Sequence, residues 1–143
     1  LKGEAIRFRV VRRILAAGSA MWWTASGAYA LAIFVLSSQA HPFGVQHLPP
    51  FTDKLIHALV FGGLSVLLQM AWQRSCPGRA SFWPVIAMTS LYGLSDEIHQ
   101  SFVPGRSMDA LDLVADTVGA CVAQWAMTTR RPALIRDAAP RTP

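Results

Sequence analysis

The chain has 143 residues, the length of one domain. Apolar residues make up 52% and charged residues only 15%, against about 25% charged in an average soluble domain, and the mean hydropathy is +0.34. That balance excludes a disordered chain, a nucleic-acid tail and an ordinary soluble globule. A formal charge of +5 and a pI of about 10.0 would suit a nucleic-acid partner, but no soluble face interleaves arginines with aromatics, so none is expected. Two cysteines, Cys76 and Cys121, are too few and too badly placed for a disulfide framework.

The first apolar span, Ile14 to Leu36, is 23 residues without a charge, long enough to cross the ~30 Å hydrocarbon layer of a bilayer with some tilt. A cleaved leader is the competing reading, with Ala28-Tyr29-Ala30 as its small-x-small site. The apolar run continues past it, however, through Leu31-Ala32-Ile33-Phe34-Val35-Leu36. The connection that follows, Ser37 to Thr52, holds His41, His47, Pro42, Pro49, Pro50 and Gly44, and the prolines forbid a continuous helix.

The second span runs from Leu55 to Trp72, with Thr52 or Asp53 able to cap its start. Asp53 and His57 are four residues apart and share a helix face. A carboxylate beside an imidazole fixes its tautomer or raises its basicity. The plainer alternative makes Asp53 a cap and His57 a satisfied polar residue at headgroup depth. Lys54 is expected to snorkel to the interface.

The third span runs from Ala80 to Ser95 and its pattern continues through Ile98. At 100° per residue, Thr89, Ser90, Gly93, Asp96, Glu97 and Gln100 fall within a ~120° stripe. A polar stripe on a membrane helix faces protein or water. His99 points away from the middle of that stripe. Pro104-Gly105 makes a turn, and Arg106 beyond it can pair with carboxylates or grip an anionic substrate.

The uncharged stretch Thr117 to Thr129 is 13 residues, too short to span. The fourth helix must therefore begin near Met108 and carry Asp109, Asp112 and Asp116, which lie within ~60° of one another on a helix. Asp109 also suits a helix N-terminus. Asp112 and Asp116 need neutralising, and Lys54, His57 and Arg106 are the available partners. A structural ion-pair network and a functional cluster are both compatible with this pattern. Gly119 and Ala123 on nearly the same side permit close helix approach.

Eleven of the thirteen Lys and Arg residues flank one side of these spans, namely Lys2 to Arg13, Arg74, Arg79 and Arg130 to Arg141. By the positive-inside bias both termini are cytoplasmic. Six of the eight acids and all four histidines fall on the opposite side. The expected fold is an all-α, four-helix integral membrane bundle of the bacterial inner membrane. A basic N-terminus (1–13) precedes the transmembrane domain (14–129), and a basic, disordered tail (130–143) follows it.

Asp53-Lys54-x-x-His57, Tyr92-Gly93-x-x-Asp96-Glu97-x-His99-Gln100-x-Phe102-x-Pro104-Gly105-Arg106, Asp109-x-x-Asp112 and Asp116-x-x-Gly119-Ala120, together with Ser37-Ser38, resemble the VanZ-like family. These are small bacterial membrane proteins named after a teicoplanin-resistance protein. The resemblance covers about residues 30–125. The chain departs from the family's pattern at Asp116, where Asn is usual. The resemblance implies a four-helix membrane domain and a cell-envelope role, with a link to glycopeptide resistance, and leaves the reaction open.

Two readings of the outer cluster follow. In the first, the protein is an enzyme acting on a lipid-linked or envelope glycan by transfer or hydrolysis. Glu97 is its general acid or base, Asp53 or Asp112 the paired carboxylate, and His57 and His99 orient or relay protons. Arg106, Gln100, Asp96, Asp109 and Tyr92 then bind substrate. In the second, the cluster binds an envelope ligand or lipid headgroup without turnover, or holds the helices together. Proton-coupled transport is a weaker third, and would require association between copies. Asp and Glu are compatible with a divalent metal, but their spacing does not demand one, and no metal ligand is assigned.

Overall fold

The computed structural model describes residues 2–40, 49, 51–79 and 81–137, with side chains over 18–40, 49, 51–79 and 81–129. His41 and His47 of the first connection lie outside the described residues. The described chain is all helical: α1 (Lys2–Ser37), α2 (Thr52–Ser75), α3 (Phe82–Gln100) and α4 (Ala110–Asp137).

The breaks fall where proline and glycine require them. The α2–α3 connection turns at Gly78, with φ +79°, and the α3–α4 connection at Gly105, with φ +82°, a left-handed conformation that favours glycine. Pro84 sits in the first turn of α3, where its missing N–H costs nothing. Asp109 caps α4, its Oδ1 accepting from Leu111 N at 2.8 Å. The start of α2 differs from expectation. Neither Thr52 nor Asp53 caps it; Phe51 occupies the cap position in a left-handed conformation and supplies no side-chain bond. Asp53 is instead drawn to Lys54. At the other end, α4 continues past Thr129 to Asp137.

α2 is the central helix, packed on α4 along one side and α1 along the other, while α3 lies mainly against α4 and barely touches α1. Glycine sets the α2–α4 approach. A Cβ on Gly119 would come within 2.0 Å of Ala58 O, and one on Gly62 within 3.2 Å of Gly119 O. Near the opposite end from Asp109, Trp23 Nε1 donates to Ser75 Oγ at 2.8 Å, and Arg74 lies over the Trp22 ring at 4.8 Å. These two tryptophans therefore join α1 to α2.

The interior is unusually polar. Ile33, Phe61, Leu64, Leu68 and Val85 form a small apolar core. Ser65, Gln69, Thr89 and Gln124 are buried beside it, with Gln124 Nε2 donating to Ser65 Oγ at 2.9 Å and Gln69 Nε2 to Ser81 Oγ at 2.8 Å. Large apolar side chains lie outside instead. Leu111, Val114, Val118, Val122 and Trp125 make an exposed stripe along α4, and Leu91, Leu94 and Ile98 along α3. Two segments, Gly18–Ser37 of α1 and Thr52–Ser75 of α2, are long and apolar enough to cross a membrane.

Candidate functional site: a carboxylate–histidine–lysine cluster

The inward stripe of α3 is the one its spacing predicts. Thr89, Gly93, Asp96, Glu97 and Gln100 are all buried. At the Asp109 end of the bundle this stripe meets the acids of α4 and the start of α2, and the polar residues sort into three groups.

Lys54 holds the outermost group. Its Nζ lies 3.0 Å from Asp53 Oδ2 and 2.7 Å from Asp112 Oδ1, and also contacts Asp109 Oδ2. The hydrogen bond from Lys54 holds the Asp109 carboxyl below the usual carboxylate range. Lys54 does not snorkel away from the protein, because three carboxylates from α2, α4 and the turn before it surround its ammonium.

His57, Glu97 and Asp116 form the inner group. His57 Nδ1 lies 2.9 Å from Asp116 Oδ1, and its Nε2 lies 3.9 Å from Asp112 Oδ2. The imidazole stacks parallel to Phe61 with centroids 6.1 Å apart. Glu97 Oε2 accepts from Asp109 N at 2.8 Å, which ties α3 to the cap of α4. Glu97 and Asp116 are both 0% exposed, and Glu97 Oε1 and Asp116 Oδ2 have no hydrogen-bond partner among the described residues. Gly93 leaves the space that Asp116 occupies, since a Cβ there would stand 2.7 Å from Asp116 Oδ2.

The third group lines a cleft of about 70 Å³ between α1, α2 and α3, where His57, Asp96, Gln100 and Arg106 meet Ile33 and Phe61. Asp96 is fixed at both oxygens, by Ser37 Oγ at 2.6 Å and Gln100 Nε2 at 2.9 Å. Arg106 Nη1 donates to Gln39 O at 3.4 Å, so it stands at the cleft without an acid partner among the described residues. A second, apolar cavity of about 280 Å³ lies further along the same helices, between Trp23, Ala30, Leu64, Met88 and Tyr92.

Of the residues singled out in the sequence, His57, Glu97 and Asp112 are brought together, with Asp53 and Asp109 beside them through Lys54. Asp96, Gln100 and Arg106 share the neighbouring cleft. Two stand apart. His99 Nε2 pairs with Ser38 Oγ at 3.0 Å and packs on Phe34. Tyr92 donates to Ala30 O at 2.6 Å and packs on Phe61. The sequence reading left Lys54 and Asp116 out of the site. For Asp116 the available signal was its place four residues beyond Asp112 on one helix face; for Lys54 there was none, since Asp109 and Asp112 are distant in the chain. It also saw no use for the serine pair after α1, whose Ser37 anchors Asp96 and whose Ser38 meets His99.

No curated protein and no solved structure matches this chain. Among known families, VanZ/LLP1 matches residues 4–131, a stretch that takes in α2 and α3 whole, most of α1 and α4, and every residue of the cluster. The chain belongs to the VanZ/LLP1 family.

Proposed function

We propose that this protein is a multi-pass membrane protein of the bacterial cell envelope. In this reading all four helices span, both termini are cytoplasmic, and the site opens on the extracytoplasmic side. Its inside-out composition supports the membrane assignment. Buried Gln69, Gln124, Glu97 and Asp116 contrast with exposed Leu111, Val114, Val118 and Val122. A soluble protein rarely leaves so long an apolar stripe in water, whereas lipid-facing helices do so and turn their polar residues inward. The sidedness rests on the distribution of Lys and Arg.

At this site the protein acts on a lipid-linked or envelope glycan, by transfer or hydrolysis. One observation carries that reading: two largely apolar clefts follow one another along the loosely closed seam between α1 and α3, and the one nearer Asp109 has His57, Asp96, Gln100 and Arg106 in its lining. An amphiphile fits such a seam, its chain beside Ala30 and Met88 and its head beside Arg106 and Gln100. Arg106 is free to take an anionic group in a bidentate grip. Glu97, dry and with one oxygen unengaged, is placed as general acid or base, and His57 relays its proton toward the cleft. Asp112 is the paired carboxylate. The link to glycopeptide resistance is part of the same proposal, since a modified envelope glycan changes what such antibiotics meet.

The test is turnover of a lipid-linked glycan by the purified protein in vesicles, wild type against Glu97→Gln. The expected loss is about 100-fold or more, with helicity unchanged. Equal turnover in the variant removes Glu97 from the chemistry. A second reading, a structural or ligand-holding cluster without turnover, is favoured by the Lys54 clasp, which engages Asp53, Asp109 and Asp112 together. It predicts no turnover with any lipid-linked substrate, and affinity or stability that falls in step in Glu97→Gln and Arg106→Lys.

A further inference from the structure

The buried charges at this end of the bundle do not balance. Glu97, Asp112 and Asp116 are carboxylates removed from water, and Asp53 and Asp109 crowd the same end. Lys54 is already shared among Asp53, Asp109 and Asp112. Arg106 turns to Gln39 O. Among the described residues only His57 remains to face Glu97 and Asp116, and one imidazole supplies at most one positive charge. Buried carboxylates without a counter-charge are costly. Two of their oxygens, Glu97 Oε1 and Asp116 Oδ2, also lack any hydrogen bond among the described residues. Such groups call for a ligand.

We propose that His57, Glu97 and Asp116 bind one divalent transition-metal ion, Mn²⁺ or Zn²⁺. Each side chain offers one donor atom, and the three donors lie within 4.8 Å of one another. Metal–ligand bonds of about 2.0–2.2 Å bring tetrahedral donors to about 3.5 Å apart, so closure needs only side-chain rotation of about 1 Å. One imidazole nitrogen with two carboxylate oxygens suits Mn²⁺ or Zn²⁺ better than Ca²⁺ or Mg²⁺, which prefer all-oxygen shells. Asp112, 3.9 Å from His57 Nε2, is the outer-shell carboxylate that orients the ring. The three donors come from three helices, so the ion also fastens α2, α3 and α4 at this end. His57 lines the cleft, which gives the ion a route in and an open side toward substrate. Asp116 adds a negative donor to this chain at a position where the resemblance expects a neutral Asn.

The proposal rests on the reading above in taking this cluster for a working site, and it gives Glu97 and His57 metal ligation in place of the proton-transfer roles assigned there; its test reads binding and not turnover. The full chain is purified in detergent, stripped with a chelator and titrated separately with Mn²⁺, by loss of the free-ion paramagnetic signal, and with Zn²⁺, by competition against bound Mn²⁺. The expected result is one ion per chain with micromolar or tighter affinity and a higher melting temperature. Asp116→Asn should weaken binding at least tenfold while preserving helicity, as should Glu97→Gln. A wild type that retains neither ion overturns the proposal, and the buried carboxylates are then neutralised by protons. Equal binding by wild type and Asp116→Asn overturns it too. Should either variant fail to fold, the wild-type titration decides alone. An ion bound without turnover on lipid-linked glycan refutes the catalytic reading and keeps the metal site; turnover with no bound ion, unaffected by chelator, does the reverse.

Discussion

His57 on α2 and Asp116 on α4 meet at 2.9 Å, Nδ1 to Oδ1, in a part of the bundle where the carboxylate is fully buried. The pair joins the two helices that pack most extensively on each other. It also connects the buried acids to the cleft, since His57 belongs to both.

That pairing predicts strong coupling in a double-mutant cycle. His57→Phe leaves Asp116 without its partner, and should lower stability by about 1–3 kcal/mol. The same substitution should cost less in the Asp116→Asn background, because a neutral amide is cheaper to leave half-satisfied. Thermal unfolding in detergent of the four proteins measures the difference. Additive effects would mean that the contact contributes nothing.

Lys54→Met should destabilise the bundle more than Lys54→Arg, since it leaves Asp53, Asp109 and Asp112 facing one another without a cation. The pH dependence follows from Asp109, whose carboxyl Lys54 holds below its ordinary value of 3.8. A depressed folded-state pKa gives stability that is present above the unfolded value and lost as pH falls through the folded one. Wild-type melting temperature should therefore drop below about pH 4, and Lys54→Met should flatten that part of the profile.

Gly119→Ala should disrupt the α2–α4 interface, because its Cβ would overlap Ala58 O at 2.0 Å. Backbone atoms cannot swing aside, so the helices must separate. The expected cost is about 1–3 kcal/mol or more, with loss of the His57–Asp116 contact. Gly27→Ala, where a Cβ meets nothing within 4 Å, should be neutral. Equal melting temperatures for the two variants would show that the close approach does not matter.

Ser37→Ala should loosen the end of α1. Ser37 Oγ donates to Asp96 Oδ1 across 59 positions of sequence, and α1 has few other contacts with α3. The buried Asp96 oxygen then loses a donor, at a cost of about 1–3 kcal/mol. Faster proteolysis of the chain after α1, with α2 to α4 still protected, is the expected signature.

The sequence was most legible where one helix decides the outcome. The stripe from Thr89 to Gln100 could be read from periodicity alone, and every residue in it faces inward or toward α4. Gly119 was readable as a contact point for the same reason. Partner choice across helices was not. Whether His57 meets Asp116 or Asp53 depends on the register of α2 against α4, which Gly62 and Gly119 set by backbone contact. Lys54 looked like an interfacial anchor because two of its three acids, Asp109 and Asp112, come from a distant part of the chain. His99, grouped with the acids by sequence proximity, is rotated toward α1 by one residue of helix, about 100°, and finds Ser38. Tyr92 packs on Phe61, where its hydroxyl donates to the Ala30 carbonyl.

The orientation of the cluster bears most directly on everything proposed for it. In intact cells, a membrane-impermeant maleimide should label Ser107→Cys, beside the Arg106 turn, in a Cys76→Ser, Cys121→Ser background. Native Cys76, at the α2–α3 connection, should react in the Cys121→Ser protein only after the cells are permeabilised. Labelling of Cys76 from outside, with Ser107→Cys protected until permeabilisation, would place the acids and His57 at the cytoplasmic face and contradict the account.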